Sequence, residues 1–169
     1  QKLVGPYTVA MRVAIIGAAI ARTWMHHDSI PAAPHLTQVI AHILLLHNIL
    51  DVDALSAGVW YIAIDLQLFA LLVFALWLAR AVSRDTLPLG VPTVAALAVA
   101  SLFWFNRDAT WDIWAIYFFG AYGMGTLAYW ASNPDRSPVA LIGLGAVGVA
   151  ALTMDFRLRI AVALVTALV

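Results

Sequence analysis

Residues 55–79, LSAGVWYIAIDLQLFALLVFALWLA, form a 25-residue apolar run that carries a single carboxylate, Asp65, near its middle. A helix that crosses a bilayer needs roughly 20 predominantly apolar residues, so this run is long enough to span. At about 1.5 Å of rise per residue, Asp65 lies roughly 15 Å from the Leu55 end, which predicts a position close to mid-membrane. An ionised group at that depth costs about 2.5–3.5 kcal/mol on insertion scales, a cost that a lipid-facing position does not offset. Asp65 is therefore expected to face protein or water inside a helical bundle, and intramembrane carboxylates are functional candidates for that reason.

The rest of the chain fits a membrane setting. It is 64% hydrophobic and 11% charged, whereas soluble domains run roughly 45–50% apolar and about 25% charged. Nine Lys and Arg balance nine Asp, with no Glu, so no basic face points to nucleic acid. The absence of cysteine excludes disulfides, thiolate chemistry and Cys-ligated metals. The chain begins at Gln1 without a signal-peptide pattern and stops inside a second apolar run, RIAVALVTALV. The expectation is a single integral membrane domain over 1–169, an internal piece of a longer protein.

Breakers divide the sequence into about seven apolar elements: Tyr7–Trp24, Leu36–Leu50, 55–79, Leu89–Phe105, Ile113–Ala131, Val139–Thr153 and Ile160–Val169. The expected fold is an all-α, polytopic transmembrane bundle, with 36–50 short enough to be tilted or re-entrant. If each element crosses once, Tyr7, Trp60, Tyr61, Trp104, Trp111 and Trp114 fall near one membrane face, and Trp24, Trp77, Tyr129 and Trp130 near the other. Interfacial aromatic belts have this distribution. The acidic 51–53 loop and the Arg80/Arg84 loop lean toward placing the Trp60 end outside.

The candidate site gathers around Asp65. Tyr61, four residues earlier, shares its helical face and can donate to the carboxylate, while Gln67 points elsewhere. Arg12 in the first element is the natural charge partner, unless it snorkels to headgroups as Arg22 is expected to do. His47, one turn before Asp51, reads as a candidate general base with its orienting group, beside the plainer reading of a hydrogen-bonded histidine. His35 and His42 share another face. The loop cluster His26, His27 and Asp28 is not expected to hold a metal, because adjacent loop histidines rarely both ligate one ion. Gly143, Gly145 and Gly148 spell G-x-G-x-x-G without the strand, helix and acidic residue that a dinucleotide site needs. With Gly120, Gly123 and Gly125 they read instead as small-residue faces for close helix packing, within the chain or against a membrane protein partner.

HILLLHNIL followed by GVWYIAIDLQLFALL, within 42–79, resembles the central signature of the bacterial membrane acyltransferase 3 family. Trp60, Asp65, Gln67 and Phe69 occupy the positions of that family's Trp, acid, Gln and aromatic, with Asp where the family often has Glu; YFFGAYGMGTLAYW is similar to its aromatic-then-glycine span. The resemblance implies an integral membrane O-acyltransferase of about ten spans in the bacterial inner membrane. It would move an acyl group, commonly acetyl from acyl-coenzyme A, to a hydroxyl of a cell-envelope carbohydrate or lipid-linked sugar. The family's catalytic His and donor-associated Arg residues would precede Gln1. On this reading Asp65 and His47 are the catalytic candidates, and Trp60, Tyr61, Gln67 and Arg12 line the substrate. The rival classes are a transporter or channel segment, with Asp65, Gln67 and Arg12 lining a path, and a non-catalytic subunit docking through its glycine faces.

Overall fold

The computed structural model describes residues 4–24, 35–43, 50, 52, 57–83, 88–132 and 138–169. Among these residues the chain is helical throughout, with no strand: α1 (Val4–Trp24), α2 (Leu36–Ile43), α3 (Ala57–Ser83), α4 (Gly90–Phe103), α5 (Ala115–Ala131), α6 (Val139–Met154) and α7 (Leu158–Leu168), with 3₁₀ turns at Phe105–Arg107 and Ala109–Trp111. The expected all-α class holds, and the apolar runs became helices. The second half of the 36–50 element, with its expected re-entrant turn, lies outside the described residues.

Local chemistry sets the boundaries. Pro138, with φ fixed near the helical value, stands at the N-cap of α6. Extended backbone at Asp155 and Arg157 separates α6 from α7. Trp114, also extended, precedes α5 without supplying a side-chain cap. Asp108 does cap the second 3₁₀ turn, its side chain accepting from the Thr110 N–H.

The chain divides into two compact units, Gln1–Leu66 and Gln67–Val169, with the division falling inside α3. In the first unit α1 exposes Val9, Val13, Ile16 and Ile20, a stripe at three- and four-residue spacing. Ala41 and His42 of α2 and Ala63 and Ile64 of α3 are buried.

In the second unit α5 is central and packs against α4, α6 and α7. Glycine makes the α4–α5 approach possible. A Cβ on Gly120 would sit 2.7 Å from Leu102 carbons, and one on Gly123 would sit 2.9 Å from the Ala98 Cβ. A Cβ on Gly148 of α6 would come within 2.6 Å of Leu164 on α7. Three of the predicted small-residue positions are thus used between helices of this chain; Gly125 and Gly143 meet nothing within 4 Å. The apolar core gathers Leu102, Met124, Ala128, Leu144, Ile160 and Leu164 from four helices.

Among the described residues one helical stretch, Trp60–Ser83, is long and apolar enough to cross a membrane: 24 residues at mean hydropathy 2.3. Only 28% of its most apolar window is buried, and Phe69, Phe74, Trp77 and Val82 are all exposed. α6 and α7 are shorter apolar helices.

Candidate functional site

The residues predicted on α3 fall on two stripes. Tyr61, Asp65 and Phe69 follow one another at four-residue spacing, and all three are exposed, Tyr61 to 62% and Phe69 to 58%. Trp60 and Gln67, seven apart, are half-buried. The Trp60 and Tyr61 rings meet edge to face, centroids 4.9 Å apart. Among the described residues Asp65 has no hydrogen bond and no ion pair, so neither Tyr61 nor Arg12 meets it. Arg12 is exposed on α1. His47, Asp51 and the 26–28 cluster lie outside the described residues. His42 is fully buried, and its Nδ1 lies 2.7 Å from the Gln38 carbonyl oxygen, a hydrogen bond along α2 that fixes Nδ1 as the protonated nitrogen.

Gln67 does something its sequence position did not announce. Its Oε1 accepts the Ala115 N–H at 3.2 Å. Ala115 opens α5, and the first N–H groups of a helix have no partner within it. Gln67 therefore caps α5 from a helix 48 residues away, in place of the cap that Trp114 does not provide. Its Nε2 is buried without a partner, a desolvated donor of the kind that costs about 1–3 kcal/mol. This contact sets Gln67 level with the start of α5, at the end of the second unit where Trp104, Trp111 and Trp114 lie.

That end carries a polar and aromatic cluster assembled from distant connections. Arg159, in the first turn of α7, donates to the Oδ1 of Asn106, which is buried beyond α4. Its guanidinium lies 4.3 Å from the Tyr117 ring centroid and 5.0 Å from that of Phe118, a geometry in which ring quadrupoles attract the cation. Asp155 and Arg157 pair at 3.0 Å beside it. Asp108 accepts from the Thr110 N–H and hydroxyl at 3.0 and 2.8 Å, and these bonds to its charged form hold its carboxyl below the usual carboxylate range. Deeper in the bundle, the buried Ser101 hydroxyl accepts the Gly120 N–H at 2.7 Å and donates to the Tyr117 carbonyl at 3.4 Å.

Sequence reasoning passed over Asn106 and Arg159 because they are 53 residues apart in segments read only as a loop and a connection. The available signal was a basic residue at a helix start and an amide among aromatics, each weak alone. Chemically, the cluster fixes a cation on aromatic faces and closes the ends of four helices. No protein-family model, curated protein or solved structure matches this chain.

Proposed function

We propose that the chain belongs to an integral membrane protein whose helices cross the bilayer repeatedly, and that the protein is an O-acyltransferase. The membrane reading is supported by α3, whose Trp60–Ser83 stretch leaves large apolar side chains uncovered where a soluble core helix would bury them. The reaction class is supported by the order Trp60, Asp65, Gln67, Phe69 along α3, which is that of the acyltransferase 3 signature.

The observation that carries the site is the open Tyr61–Asp65 stripe. Along α3, Asp65 lies two residues, about 3 Å of rise, on the N-terminal side of Gln67. Asp65 also stands five residues, about 8 Å of rise, from Trp60 at the start of the membrane-capable stretch, so on this reading it sits toward one bilayer surface. A carboxylate there avoids the full cost of mid-bilayer burial and meets substrates from the water side. Asp65 would accept a hydrogen bond from a neighbouring hydroxyl of the acceptor and so orient the reacting one, with Trp60 and Tyr61 walling the sugar. The hydroxyl oxygen would attack the carbonyl of the acyl thioester, forming the ester as coenzyme A leaves as its thiolate, and a histidine, His47 or another, would take the hydroxyl proton and pass it to that thiolate. The acceptor is a cell-envelope carbohydrate or lipid-linked sugar, and the setting is the bacterial inner membrane.

The test is acyl transfer by the full-length protein carrying Asp65→Asn. Activity is expected to fall by about 10²–10⁴-fold, the usual worth of a positioned acid–base group, with membrane insertion intact. Unchanged turnover at normal expression would remove Asp65 from the mechanism.

A further inference from the structure

Two hollows of the second unit meet at its other end. The first, about 250 Å³, is an apolar groove over α5 between α4 and α6, reached by Ala95, Val99, Met124, Leu127 and Gly143. The second, about 780 Å³, lies between the last turns of α3 and the start of α4, and holds Trp77, Arg80 and Ser83. They share Val91 and Trp130 as lining residues, so the two lie side by side.

We infer that these adjacent hollows together bind one membrane phospholipid with an anionic headgroup, its acyl chain in the α4–α6 groove and its phosphate at Arg80. The inference rests on the membrane reading of this unit, and not on acyl transfer. An apolar groove open to hydrocarbon takes an acyl chain without desolvating anything polar, and among the described residues none that lines the groove carries a charge. At its mouth the described charge is cationic. Arg80 is exposed, and among the described residues its guanidinium has no hydrogen-bond or ion-pair partner. Among the described residues no carboxylate lines either hollow. The start of α4 at Leu89 and Gly90 borders the same space, where Leu89 supplies no side-chain cap, so the positive end of that helix dipole adds to the Arg80 charge. The carbonyl end of α3 opposes it in part, which makes Arg80 the deciding group. Basic hollows between membrane helices recognise anionic headgroups in this way.

Two variants separate tail from head. Gly143 lines the groove, and a Cβ there meets nothing within 4 Å, so Gly143→Phe is expected to occupy groove space with its ring. Arg80→Gln removes the charge from an exposed side chain. The full chain would be released from micelles holding equal phosphatidylglycerol and phosphatidylcholine, and bound lipid counted by native mass spectrometry. Wild type is expected to retain phosphatidylglycerol about fivefold over phosphatidylcholine, the ~1 kcal/mol that one basic residue contributes near an anionic surface. Arg80→Gln should keep a lipid but lose the preference, and Gly143→Phe should lose lipid of both kinds. Equal retention by wild type, an unchanged preference in Arg80→Gln, or a lipid-free dimer with the groove closed by a second copy would overturn the assignment. Alkaline extraction of membranes reports the membrane reading separately: a chain that resists extraction but shows no preference refutes the lipid site alone.

Discussion

Gln67 shows how much a single polar side chain can settle on an apolar helix. Its carbonyl oxygen is consumed by the Ala115 N–H, and its amide nitrogen is buried and unpaired. Gln67→Ala removes the acceptor and leaves the first N–H of α5 orphaned in an apolar setting. A loss of about 1–3 kcal/mol is expected from the unsatisfied donor, partly offset because the orphaned Nε2 leaves with the side chain. Thermal unfolding in detergent checks it, and a midpoint equal to wild type would show that the cap contributes nothing. The sequence made Gln67 visible as a polar interruption, and the resemblance gave it a substrate-lining role. Its capping role was not legible, because the partner is a backbone group on a helix far along the chain.

At the scale of elements, the α4–α5 contact is governed by hydrogen atoms standing where side chains would be. Gly123 faces the Ala98 Cβ, an atom that cannot swing aside. Gly123→Val must push the two helices apart, and overpacking of this kind costs about 1–3 kcal/mol. Gly143→Ala introduces a methyl into open space and should be neutral, or stabilising by up to ~1 kcal/mol through helix propensity. Denaturation of both variants in one detergent tests the contrast, and equal effects would mean that the close approach is not what α5 depends on. Apolar runs and breakers located the seven helices among the described residues, since the length of an uninterrupted run is a local property. The sequence did not separate Gly120, Gly123 and Gly148, which meet a neighbour, from Gly125 and Gly143, which meet none. Which side of a helix is covered depends on its partners. The two 3₁₀ turns between α4 and α5, with the Asp108 cap, were likewise read as a plain loop.

For the whole molecule, the apolar surface left uncovered on α3 is the property with the widest consequence. In water that face would be an aggregation surface; in a bilayer it is solvated by acyl chains. Expressed in cells, the chain is expected to remain in the membrane pellet after extraction at alkaline pH, which strips peripheral proteins. Release into the supernatant in soluble, monomeric form would refute the membrane reading and, with it, both the acyl-transfer and the lipid proposals. Helix length refines the expectation. α4, α5 and α6 have 14, 17 and 16 residues, roughly 21–26 Å at 1.5 Å per residue, against a hydrocarbon core of about 30 Å. Tryptophans near their ends, at 104, 114 and 130, would extend the reach of these helices into the headgroup zone.

By itself the sequence determined the helical class, the approximate places of the described helices, and 55–79 as a stretch long enough to cross a bilayer. All of these follow from the length and composition of contiguous segments. Only the tertiary structure decided that Asp65 stands uncovered without Arg12 or Tyr61, that Gln67 closes a distant helix, and that Asn106 and Arg159 meet over the Tyr117 ring. Those outcomes depend on which helix faces lie together, and pairings across 48 or 53 residues leave no periodic trace in a single chain.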